Sequence, residues 1–439
     1  MADSVKKITD NALCTACGAC AGLCPVHAIQ MKENPAGFLQ AEVDPSACIL
    51  CGKCLKICPS YSENPLFTSS EDIFHGTSVN GYVGYAADPE IRRRGQSGGV
   101  VTALLLYLLE QQAVDGAVVN VFDAETQRPK AILAKSREEL LKGCGSYYSQ
   151  SAVVEAILSH QEEKTAAVVL GCQAESLRLI RERLPGCSLP EYTIGLICAG
   201  QNSGRMVDDL LQMAGCPAED EKIQYFRFRD KLCGGWPGNV HMSSPNREYS
   251  LPKERRHELK SVYESYRCLS CYDQMNIYSD IVCGDPWHIA GKDVPEGNSV
   301  VISRTEKGDR LLQDACRDGA ICLEPLSVDA IFTGQTVDSR HIPKYFTVRR
   351  IHQEKDWAYP YPQEYPEDCP AISEASCRQL LHRLEYSRQY YLSENRQEAD
   401  RLLTREKEQQ QRIRRRRVIP NLKRKIYSLL KFIKGRNRH

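Results

Sequence analysis

Eight cysteines near the N-terminus fall into two sets that share the spacing C-x2-C-x2-C-x3-C, and a proline follows each set. The first set is Cys14, Cys17, Cys20 and Cys24, and the second, 34 residues further on, is Cys48, Cys51, Cys54 and Cys58. Thiolates at this spacing bind 4Fe–4S clusters, because three cysteines of one loop hold one cluster while the fourth reaches another cluster. We therefore predict one cluster on Cys14, Cys17, Cys20 and Cys58, and another on Cys48, Cys51, Cys54 and Cys24.

Zinc binding and reduced structural thiols are the alternative interpretations of these cysteines. Zinc sites typically combine two C-x-x-C pairs across a longer loop, which is not the spacing seen here. Through both motifs, residues 1–65 resemble the bacterial-type two-cluster ferredoxins. The resemblance implies a small α+β domain that conducts electrons and carries out no bond chemistry by itself.

A glycine-rich turn and a later C-x-x-C pair are the next groups that could bind a cofactor. Ser97-Gly98-Gly99 precedes an apolar stretch predicted as a helix over 100–111. Free N–H groups at the start of a helix bind phosphate or pyrophosphate, although this turn could equally serve packing alone. The pair Cys268 and Cys271 fits zinc, a redox dithiol or half of a cluster site.

Strand-like and helix-like stretches alternate around these groups. Strands are predicted at 81–86, 116–122, 130–134, 166–170, 193–198 and, ending in a sharp turn, 280–287. This alternation favours an α/β domain whose mixed sheet contains parallel pairs. We expect a linker at 66–80, the α/β domain at 81–345 and a helical C-terminal extension after it.

Several short motifs, taken in order, resemble the coenzyme F420 (deazaflavin) hydrogenase/dehydrogenase beta-subunit family over about residues 80–335. They are 94–103 (RGQSGGVVTA), 171–173 (GCQ), 194–200 (IGLICAG), 228–231 (FRDK), 268–271 (CLSC), 284–287 (GDPW) and 297–299 (GNS). The resemblance implies FAD in the α/β domain and a third 4Fe–4S cluster beside it. By position, the cluster ligands would be Cys172, Cys198, Cys268 and Cys271. The alternative is that some of these cysteines are buried small hydrophobic residues.

Polar residues in the same motifs are candidates for holding the flavin or acting on the substrate. We expect the cofactor to contact Ser97, Gly98, Gly99, Thr102, Arg229 and Asp285. Arg229 and Lys231 could hold an anionic substrate or stabilise reduced flavin, and His288 could donate a proton. Catalytic roles are predicted for Asp230, Lys231 and His288, with surface or turn-forming roles as the alternative.

The C-terminal part of the chain differs in composition. Residues 346–411 are predicted as a Tyr- and Pro-rich linker and then a polar helix over 376–411, either solvated or bound to a partner. The tail at 412–439 has twelve Lys and Arg and no Asp or Glu. Between 421 and 434, Leu and Ile share one helical face among lysines, which is typical of an amphipathic helix at an anionic membrane. Partner docking and a solvated tail are the alternatives, and no specific nucleic-acid contact is expected without an aromatic stacking platform.

Composition excludes several classes of protein. Hydrophobic residues at 42% and charged residues at 26% are ordinary for a folded soluble chain. No apolar run reaches the roughly 18 residues of a membrane span, and the N-terminus lacks the apolar core of a signal peptide. We expect a cytoplasmic protein that is at most peripheral at the inner membrane face.

Together these features predict an iron–sulfur flavoprotein oxidoreductase. Electrons would pass between a ferredoxin-type one-electron carrier and an organic substrate or deazaflavin, because a flavin exchanges both single electrons and hydride. One rival interpretation is a non-catalytic electron-transfer beta subunit of a larger hydrogenase or dehydrogenase complex, served by partner redox subunits. Another is a pure electron carrier with a degenerate flavin domain.

Overall fold

The computed structural model of this chain describes residues 3–61, 72–216, 222–361, 370 and 372–414. Its strands are β1 (Ile29–Glu33), β2 (Leu39–Val43), β3 (Asn80–Ala86), β4 (Gly116–Asp123), β5 (Arg128–Ala134), β6 (Thr165–Val169), β7 (Tyr192–Leu196), β8 (Tyr225–Asp230), β9 (Asn239–Ser243), β10 (Glu248–Leu251), β11 (Ile281–Gly284), β12 (Ser299–Ser303) and β13 (Ile321–Pro325).

Helices connect these strands and form the C-terminal part of the described chain. In chain order they are α1 (Lys6–Thr9), α2 (Ala19–Gly22), α3 (Lys53–Lys56), α4 (Asp72–His75), α5 (Pro89–Arg94), α6 (Val100–Glu110), α7 (Arg137–Lys142), α8 (Val153–Leu158), α9 (Gly171–Arg183), α10 (Arg205–Met213), α11 (Lys253–Tyr263), α12 (Tyr266–Leu269), α13 (Glu306–Arg317), α14 (Val328–Gly334), α15 (Ile342–Glu354) and α16 (Glu374–Tyr391). A π-helical turn at Val337–His341 precedes α15, and residues 396–414 are also helical.

An eight-stranded mixed sheet lies at the centre of the fold, in the order β13-β3-β12-β11-β7-β6-β4-β5. Its strands β11, β7, β6 and β4 are parallel, and antiparallel strands flank them on both sides. Successive residues enter different cores, with Val118 and Ala167 on one face and Ala117 and Ala166 on the other. Both faces are therefore covered, as parallel strands require, and the predicted α/β class with parallel pairs is confirmed.

The N-terminal segment is a small α+β unit built from the antiparallel β1–β2 pair and the short helices α1 to α3. It shares a hydrophobic core with the α/β part, since Phe38 and Val153 belong to one cluster of buried side chains. A Cβ atom added at Gly22 of α2 would lie 3.0 Å from the Cβ of Leu158 in α8. The segment is thus in direct packing contact with the main sheet's helices.

The C-terminal extension packs against the N-terminal segment. Helix α16 buries Leu384 and Tyr390, and the Tyr391 ring stacks on Phe38 with the ring centroids 5.1 Å apart. One long polar helix was predicted, but residues 392–395 are non-helical and separate α16 from the helix at 396–414. The polar composition of α16 did not indicate that the helix is buried. Tyrosine rings bury a large area, although the residue counts as only partly apolar.

The structure differs from the expected boundaries at two places. Helix α4 lies inside the expected linker at 66–80, and its Ile73 and Phe74 are buried. The boundary expected after residue 345 falls within α15. The amphipathic helix predicted at 421–434, with most of the basic tail, lies outside the described residues. None of the described helices combines the length and the apolar character needed to cross a membrane.

Removing the buried Leu384 side chain tests the packing of the C-terminal extension. We expect Leu384→Ala to lower the free energy of unfolding by about 2–5 kcal/mol, because a buried leucine leaves a cavity. Anaerobic urea unfolding followed by circular dichroism measures the change. Gln379→Ala, at an exposed position of the same helix, is the control. Unfolding curves that coincide for both variants and the wild type would contradict this packing.

Candidate functional site

The N-terminal cysteines line two separate small cavities. The inner cavity is lined by Cys14, Cys17, Cys20 and Cys58. The outer cavity is lined by Cys24, Cys48, Cys51 and Cys54, of which Cys51 is exposed. Each cavity receives three cysteines from one spacing motif and the fourth from the other motif. This is the grouping that the spacing predicts for two 4Fe–4S clusters.

Backbone N–H groups point at sulfur atoms in both cavities. The Ala16 N–H donates to Cys14 Sγ at 3.4 Å, and the Ala28 N–H donates to Cys24 Sγ at 3.3 Å. Burial raises the pKa of the Cys14 thiol to about 11. A free thiol there keeps its proton at neutral pH, so a bound metal must displace that proton.

Four further cysteines line a third cavity beside the main sheet: Cys172, Cys198, Cys268 and Cys271. Cys172 lies in the first turn of α9, where the helix dipole favours negative charge. Cys198 follows β7, and the C-x-x-C pair lies in and just after α12. Residues that are far apart in sequence therefore meet in the grouping that the family resemblance implies.

The surroundings of the third cavity suit thiolates that share a multi-iron cluster. The Gly200 N–H donates to Cys198 Sγ at 3.5 Å, and the Gln201 N–H donates to Cys268 Sγ at 3.4 Å. Within the described ranges, no three His, Cys, Asp or Glu side chains are grouped closely enough for one metal ion. Four thiols from separate parts of the chain are a donor set that a 4Fe–4S cluster uses.

A fourth cavity, the sheet-edge cavity, lies at the carboxyl ends of β4, β6, β7 and β11. Open α/β sheets bind their ligands at this edge. The expected cofactor contacts Ser97, Gly99, Thr102, Arg229 and Asp285 all line it. The start of α6 also lines this cavity. Its first N–H groups have no partners within the helix and can donate hydrogen bonds to an anion.

The cavities adjoin one another. Thr15 lines both the inner and the third cavity. Leu170 and Cys198 line both the third and the sheet-edge cavity. The outer and inner cavities lie side by side in one small unit that exchanges its fourth cysteines. The result is a continuous series from the outer cavity to the sheet edge.

A buried ion pair forms one wall of the sheet-edge cavity. Arg229 donates from Nη1 to Asp285 Oδ2 at 2.7 Å and from Nη2 to Oδ1 at 3.2 Å. Asp285 also accepts hydrogen bonds from Ser97 Oγ and Trp236 Nε1. Burial by itself would raise the pKa of Asp285, but the Arg229 charge and these hydrogen bonds lower it overall. Because Arg229 is bound to Asp285, it shapes the wall and is not a free cation for a substrate.

Lys231 supports the glycine-rich turn from behind. Its Nζ donates to the Arg92 carbonyl at 2.5 Å, to the Glu296 carbonyl at 2.7 Å and to the Ser97 carbonyl. Burial, followed by the nearby Arg92 charge, lowers the pKa of Lys231 to about 8. All three N–H donors of Lys231 are engaged, and the residue does not line the sheet-edge cavity. Its contacts therefore hold three backbone segments together.

Gly98, the middle residue of the turn, packs against β3 and β12. Its N–H donates to Ser299 Oγ at 3.0 Å, and a Cβ atom added there would lie 2.4 Å from the Gly84 carbonyl oxygen. Only glycine lets the turn approach β3 this closely. Gly98 is therefore not among the lining residues of the sheet-edge cavity, unlike its neighbours Ser97 and Gly99.

The other two predicted catalytic residues are not brought to the sheet-edge cavity. Asp230 is 4% exposed, accepts a hydrogen bond from Tyr225 at 2.7 Å and lies 2.7 Å from His241 Nδ1. His288 is exposed, and its Nδ1 lies 3.0 Å from the Gly334 carbonyl oxygen. Asp230 thus joins β8 to β9, and His288 contacts the end of α14.

Sequence reasoning missed three residues that the fold places between or within the cavities. Thr15 lies where the inner and third cavities meet. Tyr148 lines the sheet-edge cavity and accepts a hydrogen bond from Arg229 at 3.2 Å. Arg267 is buried beside the third cavity. No local pattern distinguishes them, because arginine and threonine are mostly exposed and tyrosine is common in cores.

Family comparisons agree with this arrangement. The N-terminal model of the coenzyme F420 hydrogenase/dehydrogenase beta subunit matches residues 81–158, and the C-terminal model matches residues 162–329. A 4Fe–4S dicluster domain matches residues 13–61. Together the two beta-subunit models cover more than half of the chain.

Three relatives illustrate the range of similar proteins. The coenzyme F420 hydrogenase subunit beta of Methanosarcina barkeri is 27% identical over 58% of this chain and 85% of its own length. An F(420)H(2) dehydrogenase component of Methanosarcina mazei is 24% identical over 77% of this chain and 92% of its own length. The coenzyme F420-dependent sulfite reductase of Methanocaldococcus jannaschii is 29% identical over 70% of this chain but only 46% of its own length.

A solved structure shares the fold. A chain of the F420-reducing nickel–iron hydrogenase complex from Methanosarcina barkeri superimposes with a TM-score of 0.50 at 20% identity. The match covers 69% of this chain and all of that chain. Because the two beta-subunit models match residues 81–158 and 162–329, this protein belongs to the coenzyme F420 hydrogenase/dehydrogenase beta-subunit family, joined to a 4Fe–4S dicluster domain.

Proposed function

We propose that this chain is a beta-type electron-transfer subunit of a larger redox complex. It passes electrons between a one-electron partner and an organic hydride carrier of the deazaflavin class. The path runs through three 4Fe–4S clusters, held in the outer, inner and third cavities, to FAD in the sheet-edge cavity. The observation that carries the proposal is the continuous series of these four cavities.

The sheet-edge cavity fits FAD by the chemistry of its lining. The N-terminus of α6 offers N–H groups to the pyrophosphate, with Ser97, Gly99 and Thr102 beside it. When bound there, FAD supplies the exchange between hydride and single electrons. The Asp285–Arg229 pair holds Ser97 and the cavity wall in place, and Lys231 fixes the turn. These residues bind and orient the cofactor without offering a charged group of their own to the substrate.

The subunit role is favoured by the relatives and by their coverage. This chain covers 85% and 82% of two coenzyme F420 hydrogenase beta subunits, so it matches a subunit and not a whole complex. A stand-alone reductase of an organic substrate is the second candidate. It is favoured by the dicluster domain, which gives the chain its own series of thiol-lined cavities.

Iron content tests the third cluster. Three 4Fe–4S clusters give about 12 iron atoms per chain. We expect Cys268→Ala to lose about 4 of them while the paramagnetic resonance signals of the dicluster domain remain. Cys316→Ala, which changes a thiol outside the four cavities, should keep all iron. About 8 iron atoms in the anaerobically purified wild type would remove the third cluster from the proposal.

A charge placed in the first turn of α6 tests the flavin site. We expect Thr102→Asp to lower the flavin content strongly, because a carboxylate there repels the pyrophosphate. The same charge is favourable for the helix itself, since it lies at the positive end of the dipole. Thr102→Asn, of equal size and without the charge, should retain flavin. Flavin content and circular dichroism are measured for both variants. An unchanged flavin content in Thr102→Asp would mean that the pyrophosphate binds elsewhere.

Adding reduced coenzyme F420 tests whether electrons pass between a hydride carrier and the clusters through flavin. Added anaerobically to the full chain with FAD and clusters, it should produce the paramagnetic signals of reduced clusters. The Thr102→Asp variant should give none, because hydride has no route to single electrons without flavin. Turnover of the isolated chain with a one-electron donor would instead favour the stand-alone reductase. Cluster reduction at equal rates with and without flavin would contradict both candidates.

A further inference from the structure

Arg267 occupies the space between the inner and the third cavity. It directly precedes the third-cavity residue Cys268 in sequence and lines that cavity. On its other side, Nε donates to Ser60 Oγ at 2.6 Å and Nη2 donates to the Pro59 carbonyl at 3.2 Å. Pro59 and Ser60 directly follow Cys58, a residue of the inner cavity. One side chain therefore contacts the turns that carry a thiol of each cavity.

The guanidinium is buried, and among the described residues no carboxylate forms an ion pair with it. Arg267 is 1% exposed. Its close neighbour is the Tyr361 ring, whose centroid lies 4.7 Å from the guanidinium carbon. Burial raises the pKa of the Glu175 carboxyl to about 8, although the Arg267 charge acts to lower it. A buried charge is costly unless an opposite charge compensates for it. When the two cavities hold clusters, the cysteine ligands carried by the two turns that Arg267 contacts supply the opposite charge.

We propose that Arg267 is a positioning residue that sets the reduction potentials of the inner and third clusters together and holds them side by side. The inference rests on the proposed function, because it needs a cluster in each cavity. Reduction adds one electron, and so one negative charge, to a cluster that is already anionic with its four thiolates. A fixed cation favours the more negative state, and net charge is one of the terms that set cluster potentials. Arg267 thereby raises both potentials and leaves the outer cluster, on the far side of the inner one, unaffected.

Replacing the charge while keeping a polar side chain tests the inference. The full chain carrying Arg267→Gln is compared with Arg267→Lys, which keeps the charge but not the planar fork. Anaerobic redox titrations followed by paramagnetic resonance measure each midpoint potential. Signals are assigned from the variants Cys268→Ala, for the third cluster, and Cys51→Ala, for the outer cluster. Arg183→Gln is the matched control, because Arg183 donates to the Lys56 carbonyl of the same segment at 3.0 Å from a more exposed position.

In Arg267→Gln, we expect the midpoint potentials of the inner and third clusters to become more negative and the outer one to stay at its wild-type value. Arg267→Lys and Arg183→Gln should keep all three potentials. If Arg267→Gln loses iron, the loss should be confined to these two clusters and be absent from Arg267→Lys.

Unshifted potentials in an Arg267→Gln protein with the full iron content would overturn the inference alone. Equal iron loss in Arg267→Gln and Arg267→Lys would also overturn it, because the shape of the side chain would then matter and not its charge. An equal shift of all three potentials would show a general rearrangement and would overturn it too. A wild-type chain with about 8 iron atoms would instead defeat the proposed function on which the inference rests.

Discussion

The buried carboxylate of Asp285 is the constraint around which the sheet-edge cavity is organised. A carboxylate taken out of water is unfavourable unless its oxygens are fully hydrogen bonded and paired. Asp285 satisfies this need with Arg229 from the end of β8, Ser97 from the glycine-rich turn and Trp236 from the following loop. Three parts of the chain are thereby fixed relative to the carboxyl end of β11. The cavity at that edge exists because these parts cannot separate without leaving the charge unpaired.

A second set of polar contacts joins the C-terminal extension to the C-x-x-C segment. Ser387 Oγ donates to the Glu264 carbonyl at 2.8 Å, and Tyr386 donates to the Val262 carbonyl at 3.0 Å. Arg383 pairs with the Glu264 side chain. Glu264 lies four residues before Cys268, so α16 restrains the segment that carries two thiols of the third cavity. The extension is therefore part of the scaffold of the third cavity, although none of its described cysteines lines that cavity.

Local features of the fold and of the site were predictable from the sequence. Strand and helix positions follow hydrophobic periodicity, and β3, α6 and β4 begin and end within two residues of their predicted bounds. The two N-terminal cavities follow from cysteine spacing within one short segment. The grouping of Cys172 and Cys198 with the C-x-x-C pair is a long-range property of the sheet, and only family resemblance indicated it.

The sequence did not indicate the direction in which each side chain points. The motif 228–231 marks Arg229, Asp230 and Lys231 as equivalent candidates, but neighbouring residues of a strand point to opposite faces, and Lys231 lies beyond the end of β8. Arg229 reaches the sheet-edge cavity, whereas Lys231 is held by carbonyls behind the turn and Asp230 faces His241. Tyrosine-rich α16 was misjudged for a related reason, since its burial depends on which residues share a face.

The exchange of Cys24 and Cys58 between the outer and inner cavities makes the two 34-residue copies mutually dependent. Either copy alone would supply three thiols to its own cavity, and its fourth thiol would have no second cavity to complete. A free-standing single copy could complete its site only by pairing with an identical chain, at a rate limited by its concentration. Joining the copies in one polypeptide places the missing thiol at a high effective concentration. Assembly of the pair then becomes an intramolecular event that dilution does not weaken.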